Sequence, residues 1–396
     1  MPESAEPPVR RAGPTIRLEA CLAADDDGGR AARAWKATLA ETGFPHLAVE
    51  CGDDTGERGE TIVLRQIGAG LPASVRPHCR LSVGLWDPRI DEPVPEEWRR
   101  AAPADEIWVP SRQVAAAAAP ALAVPVVAIL PAALPPTAPP DRAGLRLPQE
   151  ALLFAAAGAG AQAALQAFVA AFPAPGGGAA LALAATGAPR LAALSAARPD
   201  IRVLADEADD AIGRLIAACE VFVALDDAAT FGWLPAAAVA AGRPVIATAD
   251  FAARDYLLGA VMPIPRVRDA APAGLGRSRP DLAQAAAAMR HLVGDRALVA
   301  AVAAAAARAG RRLTPAAAAR RVLRRLAALD LGGRRRTGRM GWTRSVDGHP
   351  AAAIFGHLSD AIGYGSAAQG TAAALAAAGV RATAIDIPYW SAVPAV

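Results

Sequence analysis

The chain has 396 residues, 54% of them apolar and only 5% aromatic, with a formal net charge of +3. That length accommodates two domains with a sizeable core. So small a positive balance, with no basic stripe carrying interleaved aromatics, gives no footing for nucleic-acid binding. Much of the apolar share is alanine, and a single lysine, Lys36, stands against many arginines, a coding bias that flattens every periodicity.

Residues 1–13 read as a polar, proline-bearing leader, expected to be disordered and, lacking an apolar core, not a signal peptide. Ile16 to Ala23 then reads as a strand, Asp25 to Gly29 as a turn, Arg30 to Thr42 as a helix and Leu47 to Cys51 as a second strand. This is a β-α-β unit with its glycine turn between strand and helix. Further strands are predicted at Glu60–Arg65, Leu81–Leu85, Glu106–Val109 and Val124–Leu130, which closes a first domain over 14–130. Residues 131–148 are proline-dense and continue neither regular structure, so they read as a linker. Beyond it, strands at Ala151–Ala155, Ala179–Ala184, Ile201–Leu204, Val221–Leu225 and Pro244–Thr248 alternate with helical runs, as in a second doubly wound parallel sheet. Helices close this domain at 330, the last starting at Thr314-Pro315 with threonine as N-cap and proline at the first helical position. Its apolar face is Val322, Leu323, Leu326 and Leu329, with arginines opposite.

A basic linker, 331–350, leads to a repeat of the chain's opening. GGRAARAWKATLAETGF from Gly28 aligns without gaps to YGSAAQGTAAALAAAGV from Tyr364, an offset of 365 − 29 = 336. Residues 351–396 therefore read as the start of a second module, a partial β-α-β unit.

Two uncharged stretches, Gln113–Pro136 and Ala155–Pro189, are broken by proline or glycine and are too alanine-rich to read as spanning helices. A cytoplasmic protein is expected, with contact to the inner face of the membrane as the alternative. Cys21, Cys51, Cys79 and Cys219 are too scattered for zinc or disulfide spacing and read as buried free thiols. His78, His291 and His357 lack acidic partners at useful spacing, and Trp86-Asp87 is assigned no role. No Gly-x-Ser-x-Gly, Walker loop or metal-ligand cluster occurs.

The most informative segment is Cys219 to Leu258, CEVFVALDDAATFGWLPAAAVAAGRPVIATADFAARDYLL. It reads strand, loop ending in Phe231-Gly232, helix, Gly242-Arg243-Pro244, strand. That order presents the start of a helix to a phosphate, where glycine permits close approach and unpaired N–H groups hold an anion. The segment resembles the donor-binding motif of the family 4 retaining glycosyltransferases, Ser-Glu-Gly-Phe-Gly followed by Glu-Ala-Met-Ala-x-Gly-x-Pro-Val-Ile-Ala-Thr. DEIWVPSRQV, Asp105 to Val114, is similar to the family's Asp-Glu-Val-Trp-Val-Pro-Ser strand and helix. The closing helices from Arg279 to Leu329 are similar too, the family's last one returning to the N-terminal domain.

The resemblance implies an α/β protein of the GT-B type, two Rossmann-like domains facing a cleft. It implies a nucleotide-sugar donor in the C-terminal domain and a saccharide or lipid-linked acceptor in the N-terminal one. It also implies no cofactor and no metal, because helix dipoles and basic side chains neutralise the departing diphosphate. Donor contacts would come from Gly28, Gly29, Phe231, Gly232, Trp233, Leu234 and Thr248. The family's two glutamates, which contact the sugar and the ribose, are replaced by Ala229 and Ala237, so no catalytic residue is assigned. Asp226-Asp227 stand where the family carries positive charge. Two readings follow: a glycosyltransferase of impaired activity, as in polysaccharide synthesis, or a non-catalytic module serving as scaffold or carbohydrate- or nucleotide-binding unit. A nucleotide-binding α/β protein of another class is the third, and the lack of Gly-x-Gly-x-x-Gly after the first strand speaks against a dinucleotide enzyme.

Overall fold

The computed structural model describes residues 15–50, 61–67, 79–87, 104–122, 124–137, 139–144, 146, 149–185, 197–204, 208–226, 231–248, 254–257, 259–268, 278–330, 343–344, 350–356 and 381–386. Residues 1–331 and 332–396 form separate units.

The larger unit begins with β1 (Ile16–Ala20), α1 (Asp27–Ala40) and β2 (His46–Glu50), followed by β3 (Ile62–Ile67), β4 (Leu81–Trp86) and β5 (Glu106–Val109). The short helix α2 (Arg112–Ala118) and β6 (Val126–Ala128) complete the set. The six strands are parallel in the order β2-β1-β3-β4-β5-β6. Alternation along β1 explains its place: Ile16, Leu18 and Ala20 face an apolar cluster with Trp35, Leu39 and Trp108. On its other positions Arg17 and Glu19 are buried as an ion pair, Nε to Oε1 at 2.9 Å.

The glycine pair after β1 lies inside the first turn of α1, where the sequence predicts a turn ahead of the helix. The reason is Asp26, which caps the helix by accepting a hydrogen bond from Gly29 N at 2.9 Å. Neither Gly28 nor Gly29 has a positive φ. Gly29 is required for proximity instead: a Cβ there would fall 1.7 Å from the Ala24 carbonyl oxygen, which is backbone and has nowhere to go. Gly29→Ala is therefore expected to cost about 1–3 kcal/mol or more of stability. Gly84→Ala, whose new Cβ clashes with the end of the Ile67 side chain and otherwise meets Ile107 at ordinary contact distance, should cost less, because Ile67 can rotate. Urea melts of the two variants decide the point, and equal losses would sink it.

The second sheet contains β7 (Leu152–Ala157), β8 (Ala179–Ala184), β9 (Ile201–Leu204), β10 (Val221–Ala224), β11 (Val245–Thr248) and β12 (Val261–Ile264). Their order is β12-β11-β10-β7-β8-β9, again all parallel. β7 and β8 are buried at every position and read as unbroken apolar runs, as strands covered on both faces do. Helices α3 (Ala161–Ala171), α4 (Asp209–Ala218), α5 (Trp233–Ala240) and the single turn α6 (Arg254–Leu257) connect them. A hairpin, β13 (Arg266–Arg268) with β14 (Ser278–Pro280), then precedes the closing helices α7 (Leu282–Gly294), α8 (Arg296–Gly310) and α9 (Pro315–Asp330). Thr314 caps α9, accepting from Ala317 N at 3.3 Å. Val322 and Leu326 of α9 join the core of the first sheet rather than the second, and Arg325 pairs there with buried Glu106.

The smaller unit holds β15 (Thr343–Arg344), β16 (Pro350–Gly356) and β17 (Arg381–Asp386), in that order. β16 and β17 run parallel with Ala352 opposite Ala382. In the first sheet Ile16 lies opposite His46. Both partners differ by the same offset, 352 − 16 = 336 and 382 − 46 = 336, so the two strand pairs share one register. The segment between β16 and β17 lies outside the described residues. Among the described residues, no helix is long and apolar enough to cross a membrane.

Candidate functional site

In open parallel sheets a crevice forms at the carboxyl ends of the strands, where the strand order reverses. In the second sheet that point lies between β7 and β10. Gly160, in the turn after β7, packs there so tightly that a Cβ would lie 3.1 Å from Leu225 N and 3.2 Å from Asp226 Oδ1. In the same turn Gly158 has φ +65°, and a Cβ on it would lie 4.0 Å from Leu234 Cδ1. This turn contributes backbone and no basic side chain.

The helix that follows β10 is built as the sequence demands. Gly232 is its N-cap in the left-handed region, φ 77°, a conformation that suits glycine. Trp233 and Leu234 open the helix, and Pro235 at the third position has no N–H, so the helix start offers fewer donors than usual. At the other end Gly242, φ 74°, closes a Schellman motif: Gly242 N donates to Val239 O at 2.9 Å and Arg243 N to Ala238 O at 2.8 Å. Pro244 then leads into β11. The Gly-x-Pro pattern is thus a helix stop followed directly by a strand.

Phe231 is fully buried, packed edge-on against Trp233 and tilted against Tyr256 with ring centroids 4.8 and 4.9 Å away. The Tyr256 hydroxyl lies 3.0 Å from both the Phe231 and the Gly232 carbonyl oxygens. On the other side stands Asp87, from the end of β4 in the first sheet. Its Oδ1 accepts from Phe231 N at 3.1 Å and its Oδ2 from Trp233 Nε1 at 2.8 Å. The turn into α5 therefore faces the first sheet, whose Asp87 binds the Phe231 amide ahead of the N-cap and the Trp233 indole. A reciprocal contact lies nearby: Asp255 of α6 accepts from Arg112 N, at the start of α2, at 2.7 Å.

Beside α5 opens a cleft of about 360 Å³, walled by α1, α4, α5 and the prolines after β6. Leu234 and Ala237 line it, as do Arg30, Arg33 and Asp209. Asp209 bridges the two halves, pairing with Arg30 at 2.6 Å and with Arg33. Arg30 also holds Asp27 at 2.9 Å.

Of the other sequence candidates, Gly28 and Gly29 are engaged within their own loop. The Gly28 carbonyl accepts from Gln66 Nε2 at 2.8 Å, and Gln66 Oε1 accepts from Cys21 N at 3.0 Å, which staples the loop to β3. Thr248, at the end of β11, is buried, and its hydroxyl has no hydrogen-bond partner among the described residues. Ala229, Asp227 and His78 lie outside the described residues, as does Cys51; Cys21 and Cys79 are partly exposed, and Cys219 is buried. Among the described residues no three or more His, Cys, Asp or Glu side chains are grouped to hold a metal ion.

Three acids dominate the electrostatics. Burial pushes the Asp87 carboxyl up to about 7 against the pull of its two donors, and Asp27 adds to the rise. Burial likewise raises Asp27, and it raises the Tyr256 phenol well above its ordinary value, with Asp87, Asp226 and Asp27 adding to that rise. A carboxyl raised in the folded state stabilises the fold below its ordinary pKa, and that contribution is lost as pH climbs through the raised value. The melting temperature is therefore expected to fall between about pH 4 and pH 7, and to fall less in Asp87→Asn. Identical pH profiles for the two proteins would refute this.

No family model and no curated protein matches the chain. Solved structures do. Sucrose-phosphate synthase from Thermosynechococcus elongatus superposes with a TM-score of 0.58 at 15% identity, covering 81% of this chain and 100% of its own. A glycosyltransferase from Rickettsia africae gives 0.57 at 12%, covering 81% and 100%. Anabaena HepE, solved with UDP and glucose, gives 0.52 at 13%, covering 79% and 99%. The likeness establishes the GT-B fold: two parallel six-stranded sheets, each flanked by helices.

Proposed function

We propose that the chain binds a nucleotide-sugar at the α5 start and is a glycosyltransferase of the family 4 type whose transfer to a saccharide or lipid-linked acceptor is impaired. The observation that carries this reading is the placement of α5. Its Phe231-Gly232 entry opens at the reversal point of the second sheet, faces the first sheet and borders a cleft large enough for a small ligand. The structural likeness to HepE, which was solved with UDP and glucose, supports a donor of that class. The positive end of α5 and the arginines of α1 are the groups that would face a diphosphate.

The impairment follows from charge. Ala237 in the cleft wall supplies no oxygen for a sugar or ribose hydroxyl. Asp87, Asp27 and Asp226 all act on the Tyr256 phenol beside the Phe231-Gly232 turn, which adds negative charge near the α5 entry, and Arg30 and Arg33 are already paired with Asp209. These same features favour the second reading, a non-catalytic module that retains the fold as a scaffold or a weak carbohydrate- or nucleotide-binding unit.

Calorimetric titration with UDP-, GDP- and ADP-sugars decides between them. Saturable binding with slow sugar-nucleotide hydrolysis is the expected result. No binding at millimolar ligand overturns the donor reading.

A further inference from the structure

Residues 308–325, the end of α8 and most of α9, hold seven arginines and no acid. Outside that stretch the chain has 41 − 7 = 34 basic residues against 38 acidic ones, a net −4. A basic patch on an acidic body bears on partners rather than on fold. Arg325 is paired with Glu106. Among the described residues none of the other six pairs with an acid, and Arg308, Arg311, Arg312, Arg320 and Arg324 are exposed. They gather around the turn between the two helices. Arg321 Nη2 donates to the Arg312 carbonyl oxygen at 2.7 Å, and Arg324 Nε to that of Arg320 at 3.2 Å. Burial, then Arg312, Arg324 and Arg320, pulls the Arg321 guanidinium down to about 10, and no acid is among the groups acting on it. Arg308, Arg311 and Arg312 stand at the carboxyl end of α8, where cations suit the helix dipole. Arg320 and Arg324 gain nothing of the kind: they lie one turn apart within α9, where like charges oppose the helix.

We propose that this outer face of α8 and α9 is a docking surface for a bilayer rich in anionic lipids. The stretch has no aromatic, amide or histidine side chain to stack on bases or read their edges, so it takes its partner by charge alone. A membrane surface suits that, since its headgroups are mobile and each arginine near them adds about fivefold in affinity. Between the arginines α9 shows only Ala316, Leu323 and Ala327, half-buried or exposed side chains over which the helix can lie flat. On its buried side Val322 and Leu326 fix α9 to the first sheet, so the docked chain rests on that half. The inference does not depend on the reading of the cleft as a nucleotide-sugar site.

The test sediments the full chain with vesicles of phosphatidylcholine, alone or mixed with phosphatidylglycerol. Two triple variants are compared, Arg312→Gln with Arg320→Gln and Arg324→Gln, and the same three positions changed to lysine. The parent is expected on the mixed vesicles only, bound at about 0.1 M salt and released at about 1 M, as the Debye length shrinks from about 10 to about 3 Å. The glutamine variant should bind about 100-fold more weakly and the lysine variant like the parent, since charge and not guanidinium shape holds the surface. Circular dichroism checks the fold, and Arg324→Gln alone, expected to bind about fivefold more weakly, serves if the triple variant does not fold. No binding to the mixed vesicles, equal binding to phosphatidylcholine alone, binding that salt leaves unchanged, or a glutamine variant as tight as the parent overturns the proposal. So does duplex DNA that displaces the parent from the vesicles at equal phosphate, which would make the patch a nucleic-acid surface.

Discussion

Returning glutamate to positions 229 and 237 is expected to raise nucleotide-sugar affinity and turnover by about 10²- to 10⁴-fold. The magnitude comes from two hydrogen bonds to charged groups at about 1.5–3 kcal/mol each. Ala237 lies in the wall of the cleft beside Leu234, so a longer side chain there enters the space a ribose would fill. Each single variant should recover roughly 10- to 100-fold on the same scale. Affinity by calorimetry and hydrolysis by released nucleotide are the readouts. If the double variant matches the parent in both, alanine at these positions is not what limits the site.

The largest stability effect is expected at Phe231. Its ring is fully buried between Trp233 and Tyr256 and anchors the turn into α5. Truncating a buried phenylalanine costs about 3–5 kcal/mol through lost transfer energy and the cavity left behind, and the two ring contacts place Phe231→Ala at the upper part of that range. Urea unfolding should show a lower midpoint with an unchanged slope. A loss below about 1 kcal/mol would mean that the neighbouring rings collapse into the gap.

Much of the architecture was legible in the chain itself. Ala179–Ala184 falls where the pattern put it, because a run buried on both faces reads as a plain apolar segment, and Ile201–Leu204 falls in place as a short β-branched-rich edge strand. Gly242 announced the end of α5, since the Schellman turn needs its positive φ. The β13–β14 hairpin was missed, its strands being three residues each and carrying arginines. α1 was placed three residues late, because Asp26 and Asp27 look like turn residues and act instead as cap and first turn. Asp87 was passed over entirely. It stands 144 residues from Phe231, and nothing local in Trp86-Asp87 betrays a partner so far along the chain. An acid at the carboxyl end of a parallel strand is the one signal that could have marked it.

The seat of α9 bears on how the protein is made. The first sheet ends at Ala128, but two side chains of its core, Val322 and Leu326, are synthesised after the whole second sheet. At about 5–20 residues per second, the 322 − 128 = 194 intervening residues take roughly 10–40 seconds to translate. Throughout that interval the nascent first sheet shows solvent an apolar groove where α9 belongs, a natural target for ribosome-associated chaperones. A fragment stopped at the end of β6 inherits the same open groove permanently. Supplying α9 as a separate peptide is the way to make that fragment behave.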